Sequence, residues 1–289
     1  MRNLLKGTRF QSWQIISYLY KIYTAFLIRN CERTSEDTVL INFKNIEFEI
    51  ESKDITMLPT LISGEYEFLE LAAVSKNIKP GDIFLDIGSN IGIYSLLVSG
   101  LVGSSGRVIA IEPHPKTVAI LRRNVQRNIE IGHIVEVLQL AISNFNGISY
   151  LQSTTFLGTS HLISNPGRDN LPQPGLDPVK VCTLDRLVLE LEMNPTFIKC
   201  DVEGFEAHVI EGALNYLNKA KPKILLEICG DQSRRENVSW EKAIKILGEN
   251  YFTIEVFGPT ACSQRESMPV AEVIQLTLND GRLHNVLLV

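Results

Sequence analysis

Three features are missing from this sequence, and each absence closes a route to function. Its five cysteines, Cys31, Cys182, Cys200, Cys229 and Cys262, form no Cys-x-x-Cys pair. Thiols scattered this way do not frame a zinc site, and they suit a reducing compartment better than a disulfide-stapled scaffold. No uninterrupted apolar run reaches the roughly 18 residues of a membrane-spanning helix. No dense Lys/Arg run occurs either, and 28 basic against 33 acidic residues leave a formal charge of -5. The basic footprint of a nucleic-acid binder is therefore absent, and no nucleic-acid partner is expected.

What is present begins with a basic, amphipathic N-terminus. Residues 1–31 hold Arg2, Lys6, Arg9, Lys21 and Arg29 and no acid. Trp13, Ile16, Leu19, Tyr20, Tyr23 and Leu27 recur at helical spacing, opposite Gln14, Ser17, Lys21 and Thr24. Such a helix packs on the domain or a second subunit, or lies peripherally on an anionic membrane surface; a cytoplasmic location fits both. Two short strands follow, Val39–Phe43 and Ile46–Ile50. The second alternates Ile46, Phe48, Ile50 with Glu47 and Glu49, the pattern of a hairpin with one wet face.

From residue 82 the pattern becomes strand, helix, strand, helix. Strands are expected at Ile83–Ile87, Arg107–Ile111, Ile134–Leu140, Thr196–Cys200, Lys223–Ile228, Tyr251–Phe257 and Asn285–Val289. Helices are expected at Gly92–Leu101, Pro115–Asn128, Leu184–Leu191, Phe205–Leu217 and Trp240–Leu247. Alternation of this kind predicts an α/β fold, a doubly wound, mainly parallel Rossmann-like sheet of seven strands with helices on both faces. The 289 residues thus divide into an N-terminal extension, 1–60, and a main domain, 61–289. Residues 153–178, rich in Gly and Pro, read as a long binding loop or lid.

The turn after the first strand of the main domain carries the cofactor argument. Phe84-Leu-Asp-Ile-Gly-Ser-Asn-Ile-Gly92 runs from an apolar strand through small residues into a helix. Asn90 stands where a dinucleotide fingerprint needs glycine, and no Gly-Lys-Ser/Thr follows as in a P-loop. Asp86 at the strand end would repel a pyrophosphate and attract an ammonium group. Glu112 ends the next strand, where an acid accepts hydrogen bonds from both hydroxyls of a ribose. An adenosine-like sugar with an amine and no phosphate describes S-adenosylmethionine. Further on, Lys199, Asp201 and Glu203 alternate at the end of a central strand, so they share one side, with Glu203 at the turn. Asp201 is a candidate contact to substrate or cofactor, Glu203 a candidate base or acceptor ligand, and Lys199 a partner able to tune these acids. Glu227 at the end of the next strand and His161 of the loop are candidate acceptor contacts. The remaining histidines show no metal spacing, and no metal is expected.

These motifs resemble a known family. Phe84–Gly92 followed by Val108-Ile-Ala-Ile-Glu-Pro113 is similar to motifs I and II of class I methyltransferases. Ile198-Lys-Cys-Asp-Val-Glu-Gly-Phe-Glu206, continuing to Glu211-Gly-Ala213, resembles the hallmark block of FkbM-type methyltransferases. Thr183–Leu187, Pro222–Ile228 and Gly64-Glu-Tyr-Glu67 resemble further blocks of that family, in the expected order from about residue 60 onward. Cys200 departs from the usual Ile or Val, and Gln139-Leu-Ala141 from the common Asn-Ala-Ala. The resemblance implies S-adenosylmethionine as cofactor, bound by Asp86, Gly88, Asn90, Gly92, Glu112, Ala141 and Asp201. It further implies Glu67 among the acceptor contacts and O-methylation of a small-molecule, sugar or polyketide-like hydroxyl. N-methylation within the same fold is the alternative chemistry, and a noncatalytic binding module the alternative class. Titration calorimetry with S-adenosylmethionine should show saturable binding; no heat at millimolar cofactor would reject the enzyme in favour of the module.

Overall fold

The computed structural model describes residues 31–35, 37–54, 56–152, 161–162, 176–229, 239–258, 261–263, 268–280 and 282–289. The N-terminal amphipathic helix expected within 1–31 lies outside these except for Cys31, as do most of the loop 153–178 and much of the Gly258–Val270 segment. The chain divides into two compact units, Met1–Phe68 and Leu69–Val289.

The first unit contains strands β1 (Glu32–Arg33), β2 (Thr38–Phe43) and β3 (Ile46–Glu51), in the order β1-β2-β3 and antiparallel. Lys44 and Asn45 both take positive φ, 53° and 66°. Two such residues make the turn whose twist matches a two-residue hairpin. Ile46, Phe48 and Ile50 are buried as the alternation requires. Glu49 departs from it. It is buried, because its Oε1 accepts the Thr38 hydroxyl across the hairpin at 3.0 Å. Helix α1 (Met57–Ser63) follows and stops at Gly64.

The second unit runs α2 (Phe68–Asn77), β4 (Ile83–Ile87), α3 (Ile93–Val102), β5 (Arg107–Ile111), α4 (Pro115–Arg127), α5 (Ile129–Gly132) and β6 (Val135–Leu138). An insertion follows: β7 (Ala141–Ile142), β8 (Gly147–Gln152), β9 (His161–Leu162), β10 (Leu176–Cys182) and α6 (Leu184–Glu190). The chain continues through β11 (Phe197–Cys200), α7 (Glu206–Glu211), α8 (Leu214–Ala220), β12 (Lys223–Cys229), α9 (Glu241–Asn250) and β13 (Phe252–Gly258). It closes with β14 (Ala261–Ser263), β15 (Met268–Pro269), α10 (Val270–Asp280) and β16 (Leu283–Leu288).

The main sheet has the order β14-β13-β16-β12-β11-β4-β5-β6, with β15 beside β13. Its seven principal strands, β4, β5, β6, β11, β12, β13 and β16, are thus arranged 3-2-1-4-5-7-6 by chain order. The strands from β6 to β12 are parallel, whereas β16 runs antiparallel to both β12 and β13. Parallel strands covered on both faces read as nearly continuous apolar runs. Accordingly Phe84, Leu85 and Ile87 of β4 and Val108, Ile109 and Ile111 of β5 are all buried. Leu85, Ile87, Ile109, Ile111, Ile198, Ile224 and Leu226 belong to one cluster in the main core. The fold expected from the alternation is the one found.

Three differences stand out. The insertion builds a second sheet, β7-β10-β8-β9, where the sequence suggests only additional short strands at Ile148–Gln152 and Val179–Cys182. Helix α10 covers residues for which no helix was expected. The single helix expected over Phe205–Leu217 is two helices, α7 and α8, meeting at Gly212-Ala213. A Cβ on Gly212 would lie 2.0 Å from the Ser143 carbonyl oxygen. The chain therefore needs glycine where it passes the backbone after β7, and the helix ends there. Gly212→Ala should destabilise the fold by about 1–3 kcal/mol, the usual range for overpacking, read as a lower urea midpoint at unchanged slope.

Candidate active site

The chain leaves β4 through α3 toward β5 on one side, and leaves β11 through α7 and α8 toward β12 on the other. Open α/β sheets bind ligands at such a switch point, beyond the carboxyl ends of the strands. Here the two strand ends touch. Gly88 follows β4 with φ +79°, and a Cβ on it would lie 1.7 Å from the Asp201 carbonyl oxygen. The Gly88 and Ser89 amides both donate to the Ile111 carbonyl at 2.9 Å, and Asp201 N–H donates to Ile87 O at 3.1 Å. Gly92 caps α3 with φ +90°, where a Cβ would press Leu121 Cδ1 at 2.4 Å. Both glycines are required by the turn.

Two acids line this loop. Asp86 is fully buried, and its Oδ2 accepts the Ser95 hydroxyl at 2.6 Å. Burial raises its pKa, opposed by the charge of Lys199 and by the Ser95 hydrogen bond. Among the described residues its Oδ1 has no partner, nor does the neighbouring Ser89 hydroxyl. Glu112 accepts the Asn90 amide at 3.1 Å and the His114 amide at 2.9 Å. Burial pushes it up to about 7 against those two hydrogen bonds. His114 itself caps α4, its ring near the Thr117 amide, and burial lowers its pKa.

Across the crevice, Lys199 is buried on β11 and its ammonium lies 2.8 Å from Asp201 Oδ2. The same ammonium stands 4.9 Å from the centre of the Tyr94 ring. Glu203 lies in the turn after the strand, at φ +56°, a region costly for any residue with a Cβ. That turn presents the Val202 and Gly204 amides to Glu206, whose Oε1 accepts both at 3.0 Å. Burial nevertheless pushes Glu206 up to about 7. Glu227, at the end of β12, is buried, and among the described residues its Oε2 has no partner. Burial raises it well above the usual carboxylate range, reinforced by Asp201, Glu206 and Glu203 and opposed by Lys199. Asn285 of β16 pairs with Glu227 in register, so the two side chains leave the same face.

The sheet register therefore lines up Glu112, Gly88, Asp201 and Glu227 toward the carboxyl ends of four parallel strands, with Asn285 of the antiparallel β16 beside Glu227. Asp86, Gly88, Asn90, Gly92, Glu112, Lys199, Asp201, Glu203 and Glu227 are brought to this edge as the sequence suggests. Ala141 lies on β7, buried with Leu151, Val179, Val181 and Phe205 in a separate small cluster. Glu67 belongs to the first unit, at φ +38°. The backbone of His161 is in β9, opposite Gln152, and its side chain is outside the described residues. Among the described residues no group of three or more His, Cys, Asp or Glu can hold a metal ion, and no helix is long and apolar enough to cross a membrane.

Sequence reasoning missed four polar groups here: Tyr94, Ser95, Glu206 and Asn285. Tyr94 and Ser95 follow Gly92 by two and three residues, in the first turn of a helix packed on β4. Helical spacing could have flagged them. Glu206 could have been found by asking which acceptor serves the bare amides of the Val202–Gly204 turn. Asn285 has no local signal, because only strand pairing puts it beside Glu227.

The residues present fit an adenosine-bearing cation. The free Asp86 oxygen suits an amine, Glu112 suits a ribose diol, and the two glycines leave room at the backbone. The fold and this edge define a class I, S-adenosylmethionine-dependent methyltransferase. The Methyltransferase FkbM domain matches residues 86–254, and the chain belongs to that family. The protein-L-isoaspartate(D-aspartate) O-methyltransferase family also matches, over residues 21–145. A hexuronic acid methyltransferase, AglP of Haloferax volcanii, is 26% identical over 196 residues, 68% of this chain and 72% of that protein. The crystal structure of methyltransferase FkbM from Methylobacillus flagellatus is 16% identical with a TM-score of 0.44; the match covers 81% of this chain and 54% of that one. Aeropyrum pernix fibrillarin, solved with natively bound S-adenosyl-L-methionine, is 14% identical with a TM-score of 0.44, over 91% of this chain and 86% of its own.

The buried acids make stability depend on pH. Glu112 and Glu206 are raised to about 7 and Glu227 is raised well above its usual range. Between the unfolded and folded pKa the native state binds the extra protons, so stability falls as pH rises through about 7. The cofactor-free protein should therefore melt at a higher temperature at pH 6.5 than at pH 8 in a calorimetric scan. Below about 6.5 the lowered pKa values of His114 and His208 work in the opposite direction.

Proposed function

We propose that this protein methylates a hydroxyl oxygen of a sugar-like acceptor whose reacting group is uncharged. The observation that carries this reading is the buried Glu227 oxygen near Asp201, which has no partner among the described residues, at the acceptor side of the strand edge. A carboxylate or phosphate acceptor would meet the cluster of Asp201, Glu203, Glu206 and Glu227, which Lys199 opposes among the described residues. A neutral hydroxyl instead donates a hydrogen bond to Glu227. The similarity to a hexuronic acid methyltransferase supports a sugar as the acceptor class.

In this reading Asp86 and Ser89 hold the amino-acid end of the cofactor, Glu112 its ribose, and the Gly88–Gly92 backbone approaches it closely. Ala141 is assigned to the adenine side. Bound S-adenosylmethionine supplies an electrophilic methyl group on a sulfonium, which leaves as a neutral thioether when the acceptor oxygen takes the methyl. Glu227 in its ionised form accepts the hydroxyl proton, burial making that carboxylate a stronger base than an exposed glutamate. Asp201 and Glu203 orient the acceptor, and that alignment lowers the barrier to an in-line displacement.

The test is incubation with methyl-labelled cofactor and a panel of a methyl hexoside, a hexuronic acid, an amino sugar and a host glycan extract. Label should appear as a base-stable ether. A base-labile ester on the hexuronic acid, or label on nitrogen, would overturn the hydroxyl reading. Glu227→Gln should lower kcat by about 10²–10⁴, the usual worth of a positioned general base, with cofactor affinity unchanged.

A further inference from the structure

We propose that Lys199 is a positioning residue of the cofactor pocket: its ammonium is the standing counter-charge that lets Asp86 meet the cofactor's amino group as a carboxylate. The inference rests on the assignment of the Asp86–Glu112 loop to the cofactor. By distance alone Lys199 is the ion-pair partner of Asp201. The sheet gives it a second one. Lys199 and Asp86 are register partners on the parallel strands β11 and β4, so their side chains leave the same face of neighbouring strands. The Tyr94 ring, one residue before the Ser95 that binds Asp86, stands beside the ammonium. Ring and Asp201 together hold the lysine head, and its charge acts on Asp86.

The groups around Asp86 show why it needs this. Helix α3 offers the neutral Ser95 hydroxyl. The end of β5 brings the acid Glu112, and the end of β11 brings Asp201, whose charge disfavours ionisation of Asp86. Among the charged groups acting on Asp86, Lys199 is the one that favours its ionised form. A fully buried carboxylate with one hydroxyl donor and two acidic neighbours would otherwise take up a proton. A protonated Asp86 would no longer attract an ammonium.

Two ligands separate this role from a merely structural one. S-adenosylmethionine carries the amino group, whereas 5′-methylthioadenosine has the same adenosine without it. Calorimetric titration from pH 6.5 to 9 compares wild type, Lys199→Gln, Lys199→Arg and Asp86→Asn. Relative to wild type at the same pH, Lys199→Gln should weaken S-adenosylmethionine binding about tenfold or more at pH 6.5, because losing the lysine charge raises Asp86 further. The deficit should shrink toward pH 9, where Asp86 ionises unaided. Methylthioadenosine affinity should be unchanged, Lys199→Arg should bind like wild type, and Lys199→Gln should add no further loss in the Asp86→Asn background. An equal loss for both ligands, a loss constant in pH, or no loss would overturn the proposal. Should Lys199→Gln fail to fold, the double variant Asp86→Asn/Lys199→Gln should restore folding by removing the stranded charge; a double variant as unfolded as the single would overturn it. A wild-type chain that binds methylthioadenosine but not S-adenosylmethionine would refute the amine assignment of Asp86 itself.

Discussion

The carbonyl of Asp201 fills the space that any side chain on residue 88 would need. That contact is the constraint on which the rest of the site depends. It brings the ends of β4 and β11 together at the point where the sheet changes winding direction. The hydrogen bonds from Gly88 and Ser89 to Ile111, and from Asp201 to Ile87, then lace three strand ends into one edge. Asp86, Glu112 and Asp201 are carried on these strands, so their spacing follows from backbone geometry rather than from flexible side chains. Sites built on strands in this way are more sharply defined than sites on loops.

The same edge concentrates buried acids where water is scarce. Asp86, Glu206 and Glu227 each keep an oxygen with no partner among the described residues, although buried polar atoms are ordinarily satisfied. Such atoms are costly in a resting protein. Here they cluster at one strand edge, and perturbed, buried acids in a cleft are what a functional site displays. The buried acids run along the sheet edge from Glu112 on the β5 side to Glu227 beside Asn285 on the β16 side.

Much of this was legible beforehand, for identifiable reasons. The parallel strands were readable because burial on both faces makes them apolar throughout, as in Ile83–Ile87. Asp86 and Glu112 stood out because each is a charge ending such a run. The split of the Phe205–Leu217 helix was not readable. It depends on the carbonyl of Ser143, far away in the chain, passing where a Gly212 side chain would sit. The second sheet was equally hidden, since β7 and β9 are two residues long and make sense only through their partners. Glu49 gave an incorrect reading because alternation knows nothing of the Thr38 hydroxyl opposite it. Local pattern reveals what a segment is, and pairing decides what it touches.

The placement of β16 has a consequence for the order in which the protein can be made. Among the described strands this one comes last, yet it lies inside the sheet, between β12 and β13. As the polypeptide leaves the ribosome, β4, β5 and β11 can assemble the cofactor side early. The partner of β12 that carries Asn285 emerges only after all of them. Until then the outer edge of β12 has open backbone groups, and an open strand edge invites pairing with other chains. A nascent chain would therefore hold a nearly formed cofactor crevice beside an open edge of β12, which closes only when β16 has emerged.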